Sequence, residues 1–400
     1  MNTQDYIKLE DEFGAHNYHP LPVVLEKAEG VWVWDVDGTR YMDMLSAYSA
    51  VNQGHRHPRI VQAAHEQLDQ LTLTSRAFRN SQLGPFCQEL ATLCGMECVL
   101  PMNTGAEAVE TAIKASRRWG YQHKGIPDGD AEIIVCKDNF HGRTTTIVSF
   151  STEEDYRRGF GPFTPGFRCV PYSDAKALEE AITPNTVAFL VEPIQGEAGV
   201  IVPTAGYLRE AREICRRNRV LFLADEIQTG LARSGRMFAC DHEDVKPDLY
   251  ILGKALGGGI CPISAVVSSR EILGVFDPGS HGSTFGGNPL AVAIARMALN
   301  VIKEENLVER SASMGQLFRR RMEAHLGKGV VTAVRGRGLL NAIDVDPVAG
   351  KARAFTERLK DRGILAKETH HCTIRFAPPL VISTEELEWA LERIDSVLTR

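Results

Sequence analysis

Paired cysteines, long apolar runs and segregated charge are what this 400-residue sequence lacks. Its nine cysteines are odd in number and scattered. Cys94 and Cys98 form one close pair, with no second pair to complete a zinc site, so neither a disulfide framework nor a structural metal is expected, and a reducing compartment is. No apolar run reaches the length that spans a bilayer. The first twelve residues, Met1 to Glu12, are acidic and have no apolar centre, which excludes a secretory signal and argues against a mitochondrial presequence; a cytoplasmic location follows as the expectation. Lysine and arginine total 45 against 51 acids, and the two signs are interspersed. The clusters Arg216-Arg217 and Arg319-Arg320-Arg321 fall in helical patterns and read as solvated faces, so nucleic acid is not an expected partner. Internal repeats, low-complexity segments and Gly-Pro-rich linkers are missing too.

What is present is an ordinary globular composition, long enough for a large core and more than one domain. Residues up to about Asp43 read as an arm followed by a hairpin, Val31 to Trp34 and Tyr41 to Met44 around Asp37-Gly38. A polar segment with His55 and His57 then leads into an amphipathic helix through about Leu71; a turn before a helix explains these histidines better than a metal site. From Gln82 to Arg270 helices alternate with strands. The helices are Leu83–Cys94, Ala106–Tyr121, Ala175–Ala181 and Gly206–Asn218. The strands are Cys98–Pro101, Glu132–Lys137, Thr145–Phe150, Ala188–Glu192, Val220–Ala224, Leu249–Leu252 and Ile263–Val267. Such alternation predicts an α/β fold with a mostly parallel sheet covered on both faces. A long helix, Leu290–Glu304, leads into a smaller α+β domain. The expected division is 1–48, an arm and hairpin packing with the small domain; 49–288, the large domain; and 289–400, the small domain.

The chemistry centres on Val220 to Gly259. One apolar run ends at Asp225-Glu226-Ile227-Gln228-Thr229-Gly230, and a second, Leu249 to Leu252, ends at Gly253-Lys254. In open α/β sheets ligands bind beyond the carboxyl ends of the strands, so Asp225 and Lys254 are expected in one crevice. Singly, Asp225 is better explained as a helix cap and Lys254 as a surface residue after a strand. Together they match the needs of pyridoxal phosphate: a lysine amine to bond its aldehyde, and an acid beside its ring nitrogen. An ionised aspartate keeps that nitrogen protonated.

Other motifs agree. Asn103 to Ala108 follows a strand and opens a helix; Thr104 and Glu107 fit a capping box, and the N–H groups of Gly105 and Ala106 make a phosphate cradle. Phe140, after a strand, is suited to lie against a planar ring, and Arg143 to grip a carboxylate bidentately. Glu197 is placed to reach the crevice rim. Thr284 offers a hydroxyl on a glycine-rich loop, and Arg375 ends a strand of the small domain. Lys254 is followed by Ala, which excludes a P-loop, and Gly336-Arg337-Gly338 lacks the third glycine of a dinucleotide fingerprint.

With these residues in view the chain resembles the class III, fold-type I aminotransferases over nearly its whole length, and within them the ornithine branch. The likeness is closest at His16 to Pro20, Tyr48 to His55, Leu71 to Phe78, Phe160 to Phe163, Ala224 to Gly230 and Ile374 to Leu380. The resemblance implies that Lys254 bonds the cofactor and shuttles the proton, Asp225 pairs with the pyridine nitrogen, Gln228 bonds the ring hydroxyl oxygen and Phe140 stacks on the ring. It implies that Gly105 and Ala106 hold the phosphate, with Thr284 reaching it from a neighbouring subunit, so that a homodimer shares its active sites, with higher assembly open. L-Ornithine and 2-oxoglutarate are the implied substrates. Arg143 and Tyr18 would hold the ornithine α-carboxylate, Tyr48 would suit its α-amino group, and Glu197 would pair with Arg375 until 2-oxoglutarate displaces it. Two positions depart from the branch: His141 stands where tryptophan is usual, and Phe285 where tyrosine is. N-acetylornithine or 4-aminobutyrate aminotransferases are the nearest alternatives, and a non-catalytic cofactor-binding regulator a remote one.

Overall fold

The computed structural model describes residues 1–399. Seven strands form the central sheet, in the spatial order Cys98–Met102, Ser264–Ser268, Leu249–Leu252, Leu221–Asp225, Thr186–Val191, Glu132–Cys136, Phe167–Val170. From Leu249–Leu252 to Phe167–Val170 every neighbouring pair is parallel. Ser264–Ser268 runs antiparallel to both of its neighbours. Thr186–Val191, Leu221–Asp225 and Leu249–Leu252 are buried at every position. Such continuously apolar strands need cover on both faces, supplied in part by the Gly105–Trp119 helix on one side and the Tyr207–Arg217 helix on the other.

Two four-stranded sheets flank this core. Leu25–Glu29, Trp32–Asp35 and Arg40–Asp43 form an antiparallel meander, joined in parallel by Ile364–Leu365 from near the C-terminus. Val331–Arg337, Leu340–Val345, Thr373–Phe376 and Lys367–Thr369 form the other, all antiparallel.

The alternating helices and strands fall where the sequence predicts them, with one reversal. Thr145 to Phe150, rich in β-branched residues and expected as a strand, is instead the Thr145–Ser149 helix. Thr144 caps it, its Oγ1 accepting from the Ile147 N–H at 3.3 Å, so a local cap overrides the β preference of the side chains. The sheet edge is built by Phe167–Val170, which carries no strong apolar signal because two of its four residues are exposed. The N-terminal arm begins with an unanticipated helix, Thr3–Phe13, which buries no residue and is closed by an Asn2/Asp5 capping box. A second long helix, Leu307–Glu323, follows Pro289–Glu304.

Gly315 of this second helix packs backbone to backbone. A Cβ there would lie 1.6 Å from the Gly338 carbonyl oxygen, and a carbonyl in a loop held by Arg319 and Asn341 has little room to retreat. Overpacking of a tight interior contact costs on the order of 3 kcal/mol. Gly315→Ala is therefore expected to lower the urea midpoint by a corresponding amount, whereas Ala312→Gly on the same helix should have a much smaller effect.

Candidate active site

The carboxyl ends of three adjacent parallel strands converge on one cleft. Asp225 is the last residue of its strand, Glu192 follows Thr186–Val191, and Lys254 lies two residues beyond Leu249–Leu252. The cleft is lined by these residues together with Gly105, Ala106, Phe140, His141 and Gln228, among others. Asp225 and Lys254 thus share a crevice, as their positions after two neighbouring strands require. Lys254 opens a short 3-10 turn with φ 44°, a left-handed conformation that L-residues adopt rarely and that clusters at functional sites.

Asp225 is 4% exposed and is held from behind. His141 Nδ1 lies 2.6 Å from its Oδ2, and the Ile227 N–H donates to Oδ1 at 3.1 Å. His141 is itself buried, and its Nε2 has no partner among the described residues. Burial disfavours the imidazolium, but the bond to Asp225 and the charges of Asp225 and Glu192 outweigh it and raise the histidine pKa.

The Gly105–Trp119 helix opens with the expected capping box. Thr104 Oγ1 accepts from the Glu107 N–H at 3.2 Å, while Glu107 Oε2 accepts from the Thr104 N–H at 2.8 Å. The N–H groups of Gly105 and Ala106 meet no protein acceptor among the described residues, so they remain free for an anion at the positive end of the helix. A Cβ on Gly105 would come within 3.0 Å of Ile227.

At the rim Glu197 pairs with Arg375 at 2.7 Å. Gln228 Nε2 donates to the same Glu197 oxygen, Oε1, at 3.2 Å. Burial works against ionisation of Glu197, but the Arg375 charge and hydrogen bond, with help from Lys254 and Gln228, lower its pKa overall. Burial likewise lowers the Lys254 amine, against the opposing charges of Glu197 and Asp225. A Cβ on Gly196 would lie 1.8 Å from Gln228 Oε1 and would push the Gln228 amide off Glu197.

Tyr48 lies 5.0 Å beneath the Arg375 guanidinium, presented by an unusual turn. Ser46, Ala47, Tyr48 and Ser49 all have positive φ, at 51°, 46°, 59° and 76°. One left-handed turn of L-residues costs roughly 1–2 kcal/mol per residue, so outside contacts must hold it. Asp43 Oδ1 accepts from the Leu45 and Ser46 N–H groups, each at 2.8 Å, and Ser46 Oγ donates to the Ala377 carbonyl at 2.7 Å. Tyr18 is exposed yet within electrostatic reach of Tyr48. Arg143 is exposed, its guanidinium 4.2 Å from the Tyr156 ring centroid and 5.8 Å from that of Phe140. Thr284 is also exposed and lies outside the residues that line the cleft.

Two neighbours went unmarked in the sequence reading. Glu192 Oε2 accepts from the Phe140 N–H at 3.0 Å and Oε1 from the Gly196 N–H at 3.3 Å. One carboxyl therefore ties the Phe140 segment to the segment bearing Glu197. Its signal was available: a carboxylate ends this strand just as Asp225 ends the next one. Tyr156, whose ring packs edge-on against Phe140 at 6.0 Å, gave none.

A half-buried lysine and a buried acid at neighbouring strand ends, with a free helix N-terminus beside them, define a fold-type I pyridoxal-phosphate site. The residues fit that group: Lys254 for its aldehyde, Asp225 backed by His141 for its ring nitrogen, and Gly105 and Ala106 for its phosphate. The sequence profile described as aminotransferase class-III matches residues 13–398, and the chain belongs to that family. It is 59% identical over 396 residues to an ornithine aminotransferase of Brevibacillus brevis, covering 99% of this chain and 98% of that one. It is 58% identical over 396 residues to one of Bacillus subtilis, with the same coverage. Among solved structures, the ornithine aminotransferase of Toxoplasma gondii, which holds PLP at partial occupancy, superimposes with TM-score 0.98 at 48% identity, covering 99% and 94% of the two chains. The acetylornithine aminotransferase of Elizabethkingia anophelis does so with TM-score 0.90 at 51% identity, covering 100% and 99%.

Behind the site, Glu226 is 1% exposed. Burial raises its carboxyl pKa from 4.5 to about 7, against the opposing hydrogen bonds of Thr229, Cys240 and Ala239. The folded protein therefore keeps a proton there that the unfolded chain has lost, and this contribution is complete below the unfolded value and disappears as pH rises through the folded one. Unfolding free energy is expected to fall from about pH 5 to pH 7 in urea titrations, and Glu226→Gln should flatten that slope.

Proposed function

We propose that the protein transfers the δ-amino group of L-ornithine to 2-oxoglutarate, giving glutamate and glutamate 5-semialdehyde, which cyclises to pyrroline-5-carboxylate. The observation that carries this reading is the Glu197–Arg375 pair at 2.7 Å beside the Lys254/Asp225 cleft. When bound, pyridoxal phosphate supplies an electron sink for the carbon that carries the amine. Gly105, Ala106, Gln228 and Phe140 would hold it, and Thr284 would complete the phosphate site from the second subunit of a homodimer. Lys254 Nζ, its pKa lowered by burial, lifts the proton from the amine-bearing carbon. Asp225, backed by His141, would face the ring nitrogen of the bound cofactor.

The same residues reconcile two substrates of different charge. Ornithine reacts at its terminal amine, which leaves no carboxylate near Lys254; an unpaired buried arginine there would be costly, and Glu197 neutralises Arg375. The distant α-carboxylate goes to Arg143 and Tyr18, and the α-amino group to Tyr48. With 2-oxoglutarate, the α-carboxylate takes Arg375 from Glu197, and the far carboxylate takes Arg143. The division into an N-terminal segment 1–48, a large domain 49–288 and a small domain 289–400 fits this use of the cleft, as does a cytoplasmic setting. The product serves either arginine breakdown or proline synthesis.

Pyrroline-5-carboxylate formation from L-ornithine and 2-oxoglutarate tests the reading, with N-acetylornithine and 4-aminobutyrate as rival donors. Strong product from ornithine alone is expected; glutamate formed mainly from N-acetylornithine would move the protein to the acetylornithine branch, whose structure it also resembles. Glu197→Ala should leave Arg375 free for an α-carboxylate and raise kcat/KM for glutamate as amino donor by about tenfold or more, the scale of one charge-assisted contact. An unchanged glutamate half-reaction would remove the switching role.

A further inference from the structure

The cluster around Arg353, on the Ala352–Lys360 helix, has no part in the chemistry above, yet it reaches the segment that carries Tyr18. Arg353 Nη2 donates to the Pro20 carbonyl at 2.9 Å and Nη1 to the His19 carbonyl at 3.3 Å. Its Nε donates to Glu357 Oε1 at 2.8 Å, and Nη1 also reaches Glu368 Oε1 at 3.2 Å. From Gly14 to Pro20 the only other hydrogen bonds among the described residues lie within the segment or run to the preceding helix. Residues 14–20 are exposed throughout, and Tyr18 is 74% exposed. A surface arm with so little burial takes its position from the few bonds that tie it down.

Arg353 is itself fixed by its acidic neighbours. Glu368 accepts from Thr356 Oγ1 at 2.9 Å and from Lys367 Nζ at 2.7 Å. It lies on the Lys367–Thr369 strand, and the last residue of that strand, Thr369, donates its hydroxyl to the Glu197 carbonyl at 2.8 Å. One short strand therefore steadies the backbone of the Glu197 gate and, through Glu368, the arginine that holds the arm. Through this strand the arm is tied to the Glu197–Arg375 pair at the rim of the cleft.

We propose that Arg353 is a positioning residue that clamps His19 and Pro20, stations Tyr18 toward the rim of the cleft, and so sets affinity for the carboxylate end of the amino-acid donor without touching it. The role rests on the ornithine reading above. A planar guanidinium serves two carbonyls and two carboxylates at once; a lysine ammonium keeps the charge but loses the fork.

The test is steady-state kinetics of the purified holoenzyme with Arg353→Lys, Tyr18→Phe and the double variant, alongside chymotryptic cleavage at Tyr18. Arg353→Lys is expected to raise the ornithine KM roughly tenfold, the scale of one lost hydrogen-bonded contact. The kcat and the 2-oxoglutarate KM should stay within about twofold, a margin well inside one such contact. The double variant should be no worse than Tyr18→Phe, because both act through the same hydroxyl, and cleavage at Tyr18 should be faster in Arg353→Lys. An unchanged ornithine KM, equal rises for both substrates, or an additive double variant would overturn the proposal. A wild-type protein inactive on ornithine would overturn the substrate reading and the donor role with it, and cleavage rates unaltered by Arg353→Lys would overturn the clamp independently.

Discussion

Arg233 is the cation on which the spatial arrangement depends. It is fully buried, no carboxylate among the described residues pairs with it, and burial pulls its guanidinium down to about 9. Its donors go to Asn52 Oδ1 at 2.6 and 3.1 Å, to the Leu339 carbonyl at 2.9 Å and to the Pro378 carbonyl at 2.7 Å. Burying a charge is costly unless its hydrogen bonds are made, and these acceptors come from three distant stretches of chain. Leu339 adjoins the Leu340–Val345 strand, and Pro378 comes two residues after the Thr373–Phe376 strand. The bonds therefore register the C-terminal sheet against the turn that follows Asp225. Glycines make the junction close: a Cβ on Gly338 would lie 2.3 Å from the Gly235 nitrogen. Arg375 reaches Glu197 across the cleft because this joint holds the sheets together.

Charge within the cleft is balanced in layers. Asp225 has His141 behind it, Glu197 has Arg375 beside it, and Lys254 stands between them. Glu192 faces the surplus of acid: its carboxyl is pushed up to about 7, chiefly by burial and also by the nearby charge of Asp225, against the opposing effects of His141 and two backbone N–H groups. His141 gives Asp225 a polar support from behind the site.

Much of the fold was legible because its signals are local. The Asp225 and Lys254 positions follow from apolar runs that stop abruptly, and the Thr104/Glu107 box marks a helix start within four residues. Thr145 to Phe150 misled because β-branched composition competes with a single capping threonine, and the cap prevailed. The Thr3–Phe13 helix carries Tyr6, Leu9 and Phe13 at helical spacing, but among so many charged residues, and with none of the three buried, the stripe did not stand out. Tyr48 was marked as a residue but not as part of a left-handed turn, since no run of four non-glycine residues announces positive φ.

The sequence by itself determined the parallel strands, the residues that end them, and hence which lysine and acid share a crevice. Strand ends in a parallel sheet are brought together by a local pattern of apolar runs and breaks. The Glu197–Arg375 pair was implied only by family resemblance, and the tertiary structure brought it to 2.7 Å, set His141 behind Asp225 and tied Arg353 to the arm bearing Tyr18. Each of these pairs joins residues at least 84 positions apart, and their geometry exists only once separate sheets and helices have packed.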